Sequence, residues 1–474
     1  MGGHPPCTHT TYLIYLIILM KGVSAVRESE TKEKQRGVYV HTFGCQMNVH
    51  DSQKILTLLS KEGYAPVKQP EDADVILLNT CSVREKPEQK VMSAVGRYAQ
   101  LKRKNPELLI GIGGCFARQE GPKLLKRAPV LHLVFGPDNI PELPQMLGKL
   151  HEETSSLVDI DFDPAEDVRF LDIAPQVLDS STSAMVTIMK GCDKYCSFCI
   201  VPYVRGRERY RSGHEIIEEA RKLCKSGVRE VLLLGQSVTS YAWQDEETGE
   251  VWKLSTLLKE IDKVEGVDRL RFTSPYPRDF TPDLVNCFGA LPTLCEYVHL
   301  PFQSGSNQIL YRMNRRHTRE QYFEWVDALR ERVPEIALSA DVIVGFPGET
   351  DADFDDTMDL IERVRFDGLF SFMYSPRPYT PAARKAQVDE RVSHTRLLKL
   401  QERQREIMLE KNEALVDSIQ EVLIEGLSKK DGELRGRTRG NKVVNFVGDP
   451  NLIGELVTVK ILNGYAHSLR GELV

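Results

Sequence analysis

The sequence predicts an α/β protein in three parts: an N-terminal parallel α/β sheet domain, a central partial (β/α)6 barrel, and a small C-terminal antiparallel β-barrel. Three observations carry this prediction. Apolar runs alternate with amphipathic segments over residues 37–136, and a second alternation of the same kind repeats six times over 184–376. Such alternation builds parallel sheets with helices packed on their faces. From about residue 411 the texture changes to short strands split by Gly and Asn, the pattern of a small β-barrel. A chain of 474 residues is also too long for one core, so two or three domains are expected.

In chain order, residues 1–36 read as an extension outside the fold. Its apolar run "TYLIYLIILM" (11–20) ends in a small-x-small pattern like a signal cleavage site, but no Lys or Arg precedes it. It is too short to span a bilayer comfortably. Met20 is read as an alternative start, and the protein as cytoplasmic with no membrane partner. Residues 37–150 form the first domain, with strands in "GVYVHTFG" (37–44), "ADVILLNT" (73–80), "LLIGIGG" (108–114) and "VLHLVFG" (130–136). Residues 151–180 are acidic, hold two prolines and lack helical periodicity, and so read as a linker.

The central domain, 181–410, places strands in 184–191, 229–236, 269–275, 297–305, 337–349 and 368–376. Helices such as "IIEEARKLCKSG" (216–227) fit between them. Barrels of this kind keep their chemistry at the C-terminal ends of the strands. A long polar helix, about 384–414, leads to the last domain, 411–474.

Composition excludes little: 41% apolar and 27% charged residues are ordinary for a globular chain. A net charge of −6 says nothing about nucleic acid, which responds to local basic patches. Ten cysteines without dense regular spacing point to metal or redox use, not to a disulfide scaffold.

"GCDKYCSFC" sets Cys192, Cys196 and Cys199 at C-x3-C-x2-C spacing, directly after the first barrel strand. Soft thiolates select zinc or iron–sulfur clusters. A structural zinc site closes itself with a fourth Cys or His, and none lies close in sequence. An open position marks a catalytic centre; the alternative is an unfinished zinc knuckle or three free thiols. Cys45, Cys81 and Cys115 each follow a predicted strand of the first sheet, where parallel sheets gather their ligands along one edge. They form a second three-thiol candidate, unless they merely pack as small hydrophobes. Cys7 lies in the extension, and Cys224, Cys287 and Cys295 read as packing.

Arg205, Arg207, Arg209 and Arg211 alternate along "RGRERYR", as do Arg435, Arg437 and Arg439 along "LRGRTRG". If extended, each stripe points one way, which suits phosphates; a solvated surface is the bland alternative. The barrel setting of the second stripe favours RNA.

The words "TFGCQMN", "NTCSVREK", "GCDKYCSFCIVPYVRGRE" and "LPFQSGSN" resemble the tRNA methylthiotransferase family of radical S-adenosylmethionine (SAM) enzymes, from about Gly37 to the C-terminus. Around the first cysteine they are similar to the isopentenyladenosine branch. The alternatives are the branches for ribosomal protein S12 and for threonylcarbamoyl-adenosine, and, more distantly, a non-enzymatic iron–sulfur RNA-binding protein. The resemblance implies two 4Fe–4S clusters. Cys192, Cys196 and Cys199 hold one, whose fourth iron takes SAM, and Cys45, Cys81 and Cys115 hold an auxiliary one. It implies a methylthio group placed on C2 of N6-isopentenyladenosine beside the anticodon, with one SAM as methyl donor and a second as source of a 5′-deoxyadenosyl radical. A radical is needed because C2–H has no useful acidity for a general base. The C-terminal domain corresponds to a TRAM domain that grips the anticodon stem-loop. An electron donor and iron–sulfur assembly proteins are the other partners, with the chain a monomer.

By the same resemblance Phe198, Gln236, Ser274, Gln303, Asp341 and Gly345 are SAM-contact candidates, although polar groups at strand ends are equally satisfied within a barrel. Two departures fall near strand ends. Ser237 stands where the branch has Asn, and Tyr276 where many members carry His.

Overall fold

The computed structural model describes residues 35–82, 85–152, 155–161 and 182–474. The expectations for the apolar run at 11–20 and for most of the linker lie outside the described residues. No helix among the described residues is long and apolar enough to cross a membrane.

The first region alternates β1 (Arg36–Thr42), α1 (Gln46–Lys61), β2 (Tyr64–Pro66), β3 (Val75–Thr80), α2 (Glu85–Lys104), β4 (Leu109–Gly114), α3 (Cys115–Glu120), α4 (Lys123–Arg127), β5 (Leu133–Phe135), α5 (Leu143–Glu152) and β6 (Leu157–Asp159). Its six strands run parallel in the order β2-β1-β3-β4-β5-β6. β3 and β4 are buried along their whole length, as strands covered on both faces must be. That explains their unbroken apolar character. Part of the expected linker is structured: α5 runs to Glu152, and Leu157–Asp159 joins the sheet as its edge strand. A three-residue strand is too short for alternation to show in an acidic stretch.

The central region continues with β7 (Ser183–Thr187), β8 (Met189–Lys190), α6 (Val201–Arg205), β9 (Arg209–Tyr210), α7 (Gly213–Lys225), β10 (Glu230–Leu234), β11 (Ala242–Gln244), β12 (Val251–Lys253), α8 (Leu254–Ile261), β13 (Arg269–Phe272), α9 (Pro282–Val285), β14 (Tyr297–His299), α10 (Asn307–Arg312), α11 (Arg319–Arg332), β15 (Ala337–Val344), α12 (Asp351–Val364), β16 (Gly368–Met373) and α13 (Glu390–Glu413). Two three-stranded parallel sheets, β7-β10-β13 and β14-β15-β16, meet at a parallel bridge between Leu270 and Leu294. The result is an open arc in chain order, the predicted partial barrel. Capping boxes at Thr318/Gln321 and Thr350/Asp353 start α11 and α12.

The last region closes a barrel of β17 (Ile419–Leu427), β18 (Glu433–Thr438), β19 (Val443–Val447), β20 (Leu456–Tyr465) and β21 (Ser468–Leu473). Every pairing is antiparallel except β19–β21. Buried arginines of β13 hold it in place. Arg269 donates to the carbonyls of Arg437 (2.7 Å) and Glu421 (3.1 Å), and Arg271 to those of Thr438 (2.9 Å) and Arg439 (2.8 Å). These bonds cap strand-edge carbonyls and fix the barrel against the central arc.

Candidate functional site

β1, β3 and β4 are neighbours in the sheet, so the loops that follow them leave the same edge. Those loops carry Cys45, Cys81 and Cys115. Cys45 caps α1 and Cys115 opens α3. Gly44 has φ of 133°, and a Cβ there would lie 2.4 Å from the Cβ of Cys81, so the first two loops abut. Only glycine allows that approach. The Cys45 thiol donates to Asn48 Oδ1 at 3.2 Å. Asn48 Nδ2 donates to Asn79 Oδ1 (3.1 Å) and the Thr80 carbonyl (3.0 Å), lashing α1 to the end of β3. The hydrogen bond with Cys81, aided by the Arg205 charge, pulls the Cys45 thiol down to about 6 against its burial. Burial pushes Cys115 up.

The guanidinium of Arg205 reaches this triad from α6 of the central region. Its Nε donates to Cys115 Sγ at 3.2 Å and its Nη2 to Asp51 at 2.8 Å. Its Nη1 is buried and has no partner.

Cys192, Cys196 and Cys199 share one loop after β8. The amide of Cys192 donates to Gly206 (3.1 Å) and that of Cys199 to Cys196 (2.9 Å). Gly191, at φ 83°, must be glycine, because a Cβ would sit 1.9 Å from the Arg207 carbonyl. From outside the loop, Asn314 Nδ2 donates to the Lys194 (3.4 Å) and Tyr195 (3.0 Å) carbonyls, and the Ser197 amide donates to Met313 (2.9 Å). Burial pushes Cys192 up to about 12 and raises Cys199 as well. Arg315, also buried, brings Nη1 to 3.8 Å from Cys196 Sγ and donates Nη2 to Pro301 at 2.6 Å. Its face lies 4.5 Å from the Tyr276 ring centre, and its Nε has no partner.

The two triads thus share a design: three thiols, one of them touched by a buried arginine that keeps an unused N–H. Among the described residues no three His, Cys, Asp or Glu side chains close round a single metal ion. A cubane cluster takes each thiolate on a different iron, so its ligands stand apart. Burial that raises a thiol also hides it from solvent, and a spare guanidinium N–H is what an anionic, sulfide-rich group accepts. Cys81, Cys115, Cys192 and Cys196 are buried, Cys199 is partly so and Cys45 is exposed; soft ligands, this partial seclusion and spare donors fit iron–sulfur clusters at both places.

The other sequence candidates scatter. Gln236 Oε1 accepts from the Gly191 amide at 2.5 Å, at the base of the cysteine loop. Ser274 (φ 59°) and Gln303 (φ 71°) hold left-handed backbone at strand ends. Asp341 faces His299 at 3.4 Å. Gly345 instead packs on α13, where a Cβ would strike Ser393 Oγ at 2.1 Å, and Phe198 sits in a small apolar cluster with Ile309, Met313, Phe346 and Ala382. Ser237 is buried and bonded to Ser240 (2.8 Å). Tyr276 is buried beneath Arg315.

The arginine stripes are corrected by the structure. α6 ends at Arg205, Gly206 follows at φ 74°, and the chain turns extended only at β9 (Arg209–Tyr210), so the four arginines do not share one extended face. Arg205 is buried on Cys115 and Asp51, Arg209 pairs with Asp138 (3.0 Å), and Arg211 is buried against Glu219. Only Arg207 faces solvent, paired with Asp193 (2.6 Å). In the last barrel Arg439 is spent on docking, bonded to Glu296 (2.7 Å) and the Leu294 carbonyl (2.9 Å). Arg435 and Arg437 lie nearer the surface, both facing Glu425.

Sequence reasoning missed Arg315 and the role of Arg205. Nothing periodic marks Arg315, and the alternation that includes Arg205 pointed to phosphate, not to a thiol. The one local signal at Arg315 is "MNRRHT", where Asn314 and Arg316 both adopt left-handed backbone.

Comparisons with known proteins agree with this layout. Residues 37–136 match the uncharacterized protein family UPF0004, 186–361 the radical SAM superfamily, and 413–474 the TRAM domain. The chain is 49% identical over 438 residues to the tRNA-2-methylthio-N(6)-dimethylallyladenosine synthase of Geobacter metallireducens, covering 92% of this chain and 98% of that protein. It is 44% identical to the proteins of the same name from Syntrophus aciditrophicus (96% and 98% covered) and Aquifex aeolicus (92% and 98% covered). Among solved structures, the radical S-adenosylmethionine methyltransferase TsrM from Kitasatospora setae superposes with a TM-score of 0.55 at 15% identity, covering 73% of this chain and 75% of that one. At that identity the likeness is one of fold alone.

Proposed function

The chain belongs to the family of tRNA-2-methylthio-N(6)-dimethylallyladenosine synthases, and we propose that its two cysteine triads hold two 4Fe–4S clusters with separate tasks. The enzyme is a radical SAM methylthiotransferase that acts on C2 of isopentenylated adenosine in tRNA. Cys192, Cys196 and Cys199 hold the cluster that faces SAM, and Cys45, Cys81 and Cys115 hold the auxiliary one. When bound, the first cluster would supply the electron that cleaves one SAM to a 5′-deoxyadenosyl radical, and the auxiliary cluster would supply the sulfur of the methylthio group, whose methyl comes from a second SAM.

The protein's own residues orient and seclude. Arg315 and Arg205 each press one thiol of their triad and present a spare N–H inward. Gln236 pins the base of the radical-site loop, Ser274 and Gln303 follow the ends of β13 and β14, and Asp341 lies within β15, on the side where SAM would lie. No acid–base residue is asked to activate C2–H. His50 stays neutral, pushed well down by burial and by the charges of Lys54, Arg211 and Arg205, and neither of its ring nitrogens has a hydrogen-bond partner among the described residues. The C-terminal barrel carries the RNA contacts through Arg435 and Arg437, gripping the anticodon stem-loop. An external electron donor and iron–sulfur assembly proteins are the remaining partners, and the chain acts as a monomer.

The observation that carries this reading is Arg205: one side chain from α6, which follows the radical-site cysteine loop, lands on a thiol of the other triad. The test is an anaerobic assay of the reconstituted enzyme with SAM, a strong reductant and tRNA bearing N6-isopentenyladenosine. A methylthio adduct on C2, seen by nucleoside mass spectrometry, is expected. Formation of 5′-deoxyadenosine with unmodified tRNA would remove the substrate assignment and leave the radical half.

A further inference from the structure

Three tyrosines form an exposed row beside the thiol triads. Tyr195 lies in the radical-site cysteine loop, Tyr203 on α6, and Tyr379 on the segment after β16. They are 44%, 39% and 55% exposed. Ring centres are 6.4 Å apart between Tyr195 and Tyr203 and 6.1 Å between Tyr203 and Tyr379. The Tyr379 hydroxyl donates to the Gln119 carbonyl at 3.5 Å, on the helix that Cys115 opens. The row therefore runs from one triad's loop to the other triad's helix.

Two of the three are held at a cost. Tyr195 (φ 47°) and Tyr379 (φ 68°) occupy left-handed backbone, which bulky side chains avoid and which gathers at functional sites. Packing does not explain it, since both rings face solvent.

A cleft of about 1060 Å³ adjoins the row: Ser197 and Pro381, two residues from Tyr195 and Tyr379, line it. Its charged lining residues are Arg312, Arg316 and Lys385, with no carboxylate among the lining residues. Among the described residues none of the three forms an ion pair. His317 lines the cleft too. It is buried, pulled down to about 3 by burial and by Arg315, and its Nε2 has no partner. The space exceeds the ~300–1,000 Å³ of a small-molecule pocket.

We propose that the cleft and the tyrosine row form one groove for unpaired RNA. Its phosphates track Arg312, Arg316 and Lys385, and the bases next to the target adenosine stack on Tyr203 and Tyr379. The proposal rests on the reading of the chain as a tRNA-modifying enzyme. A basic groove with aromatic faces is the general solution for single strands, because every base has a π-face and every phosphate a charge. A paired stem offers no free base face, so the groove takes loop nucleotides and leaves the stem to the C-terminal barrel.

The test uses the full-length reconstituted enzyme and two synthetic RNA hairpins. One carries N6-isopentenyladenosine in its loop, and the other is identical but abasic at the nucleotides flanking it. Y203L and Y379L, on separate segments, should each weaken binding of the intact hairpin about tenfold, with the slope of affinity against salt unchanged. Y203F and Y379F should bind as the unaltered protein does, and the abasic hairpin should bind all of them alike. R312Q, R316Q and K385Q should instead lower the salt slope by about 1 each. Tyrosine variants that bind both hairpins as the unaltered protein does would overturn the stacking row. Basic-residue variants that keep RNA affinity but slow reduction by an acidic electron-carrier protein would overturn the groove and make it the donor's dock. Because binding is read without turnover, failure of the functional reading shows separately, as an unaltered enzyme that binds the hairpin and leaves C2 unmodified.

Discussion

The two triads do one structural job by opposite routes. The radical-site cysteines come from a single loop, fixed by short-range bonds and by Gln236, Asn314 and Met313 pressing from outside. The auxiliary cysteines come from three strand ends, and their convergence depends on the register of β1, β3 and β4 and on Arg205 arriving from another region. A site built from one loop survives distant change. A site built from three loops and an inter-region arginine fails when the assembly loosens.

The largest contrast comes from the thiols. C196A should drop 5′-deoxyadenosine formation to background, whereas C81A should keep SAM cleavage and lose the methylthio product; chromatography of the small molecules beside nucleoside mass spectrometry separates the two. Equal loss of both activities in both variants would erase the division of labour.

Next is Arg205. R205M removes the ion pair to the partly buried Asp51 and the contact to Cys115, costing about 2 kcal/mol in urea unfolding and lowering methylthio product more than SAM cleavage. R205K keeps the charge but not the planar fork, so it should recover only part. The matched variant R315M should reverse the pattern and depress SAM cleavage first.

At the far end of the chain, Asp367 binds Lys411 (2.6 Å) and Lys442 (2.8 Å), joining α13 and the last barrel to the arc. Burial alone would raise this carboxyl, but Lys442 and Lys411 overcome it and hold it below its ordinary value. A depressed carboxyl stabilises above the unfolded value of about 3.9 and loses that contribution as pH falls below it toward the folded value. D367N should therefore cost about 2 kcal/mol near neutrality, progressively less as pH falls below about 3.9, and leave both triads untouched, as hydrogen exchange along the barrel would show.

The smallest effect belongs to Arg435. R435A should weaken tRNA binding a few-fold and lower the salt slope by about 1. R439A should act differently, loosening the barrel through loss of its Glu296 contact.

What was legible in the sequence follows the same division. C-x3-C-x2-C is a local signal, and the strand-end positions of Cys45, Cys81 and Cys115 needed only the rule that parallel strands share an edge. The six barrel strands were legible from the repeated alternation with helical segments, although β13 (RLRF) carries two arginines and β14 has only three residues. The arginine stripe failed because alternate spacing means one face only in continuously extended chain, and here Arg205 ends a helical turn, Gly206 bends the chain, and only Arg209–Tyr210 is strand. Arg205 and Arg211 are buried by partners on distant elements, Asp51 and Glu219, which no window of sequence contains. The edge strand Leu157–Asp159 was hidden because three residues carry no period. The tyrosine row was hidden because its members come from three separate segments.

The measurement that tests the central claim most directly is iron and sulfide content with Mössbauer spectroscopy on three anaerobically reconstituted proteins: the unaltered chain, the C192A/C196A/C199A variant, and the C45A/C81A/C115A variant. Two cubane clusters on separate triads predict about eight irons per chain in the first and about four in each variant, all in 4Fe–4S form. About four irons in the unaltered chain, all lost with one triad and none with the other, would contradict the account and leave the second triad as packed thiols.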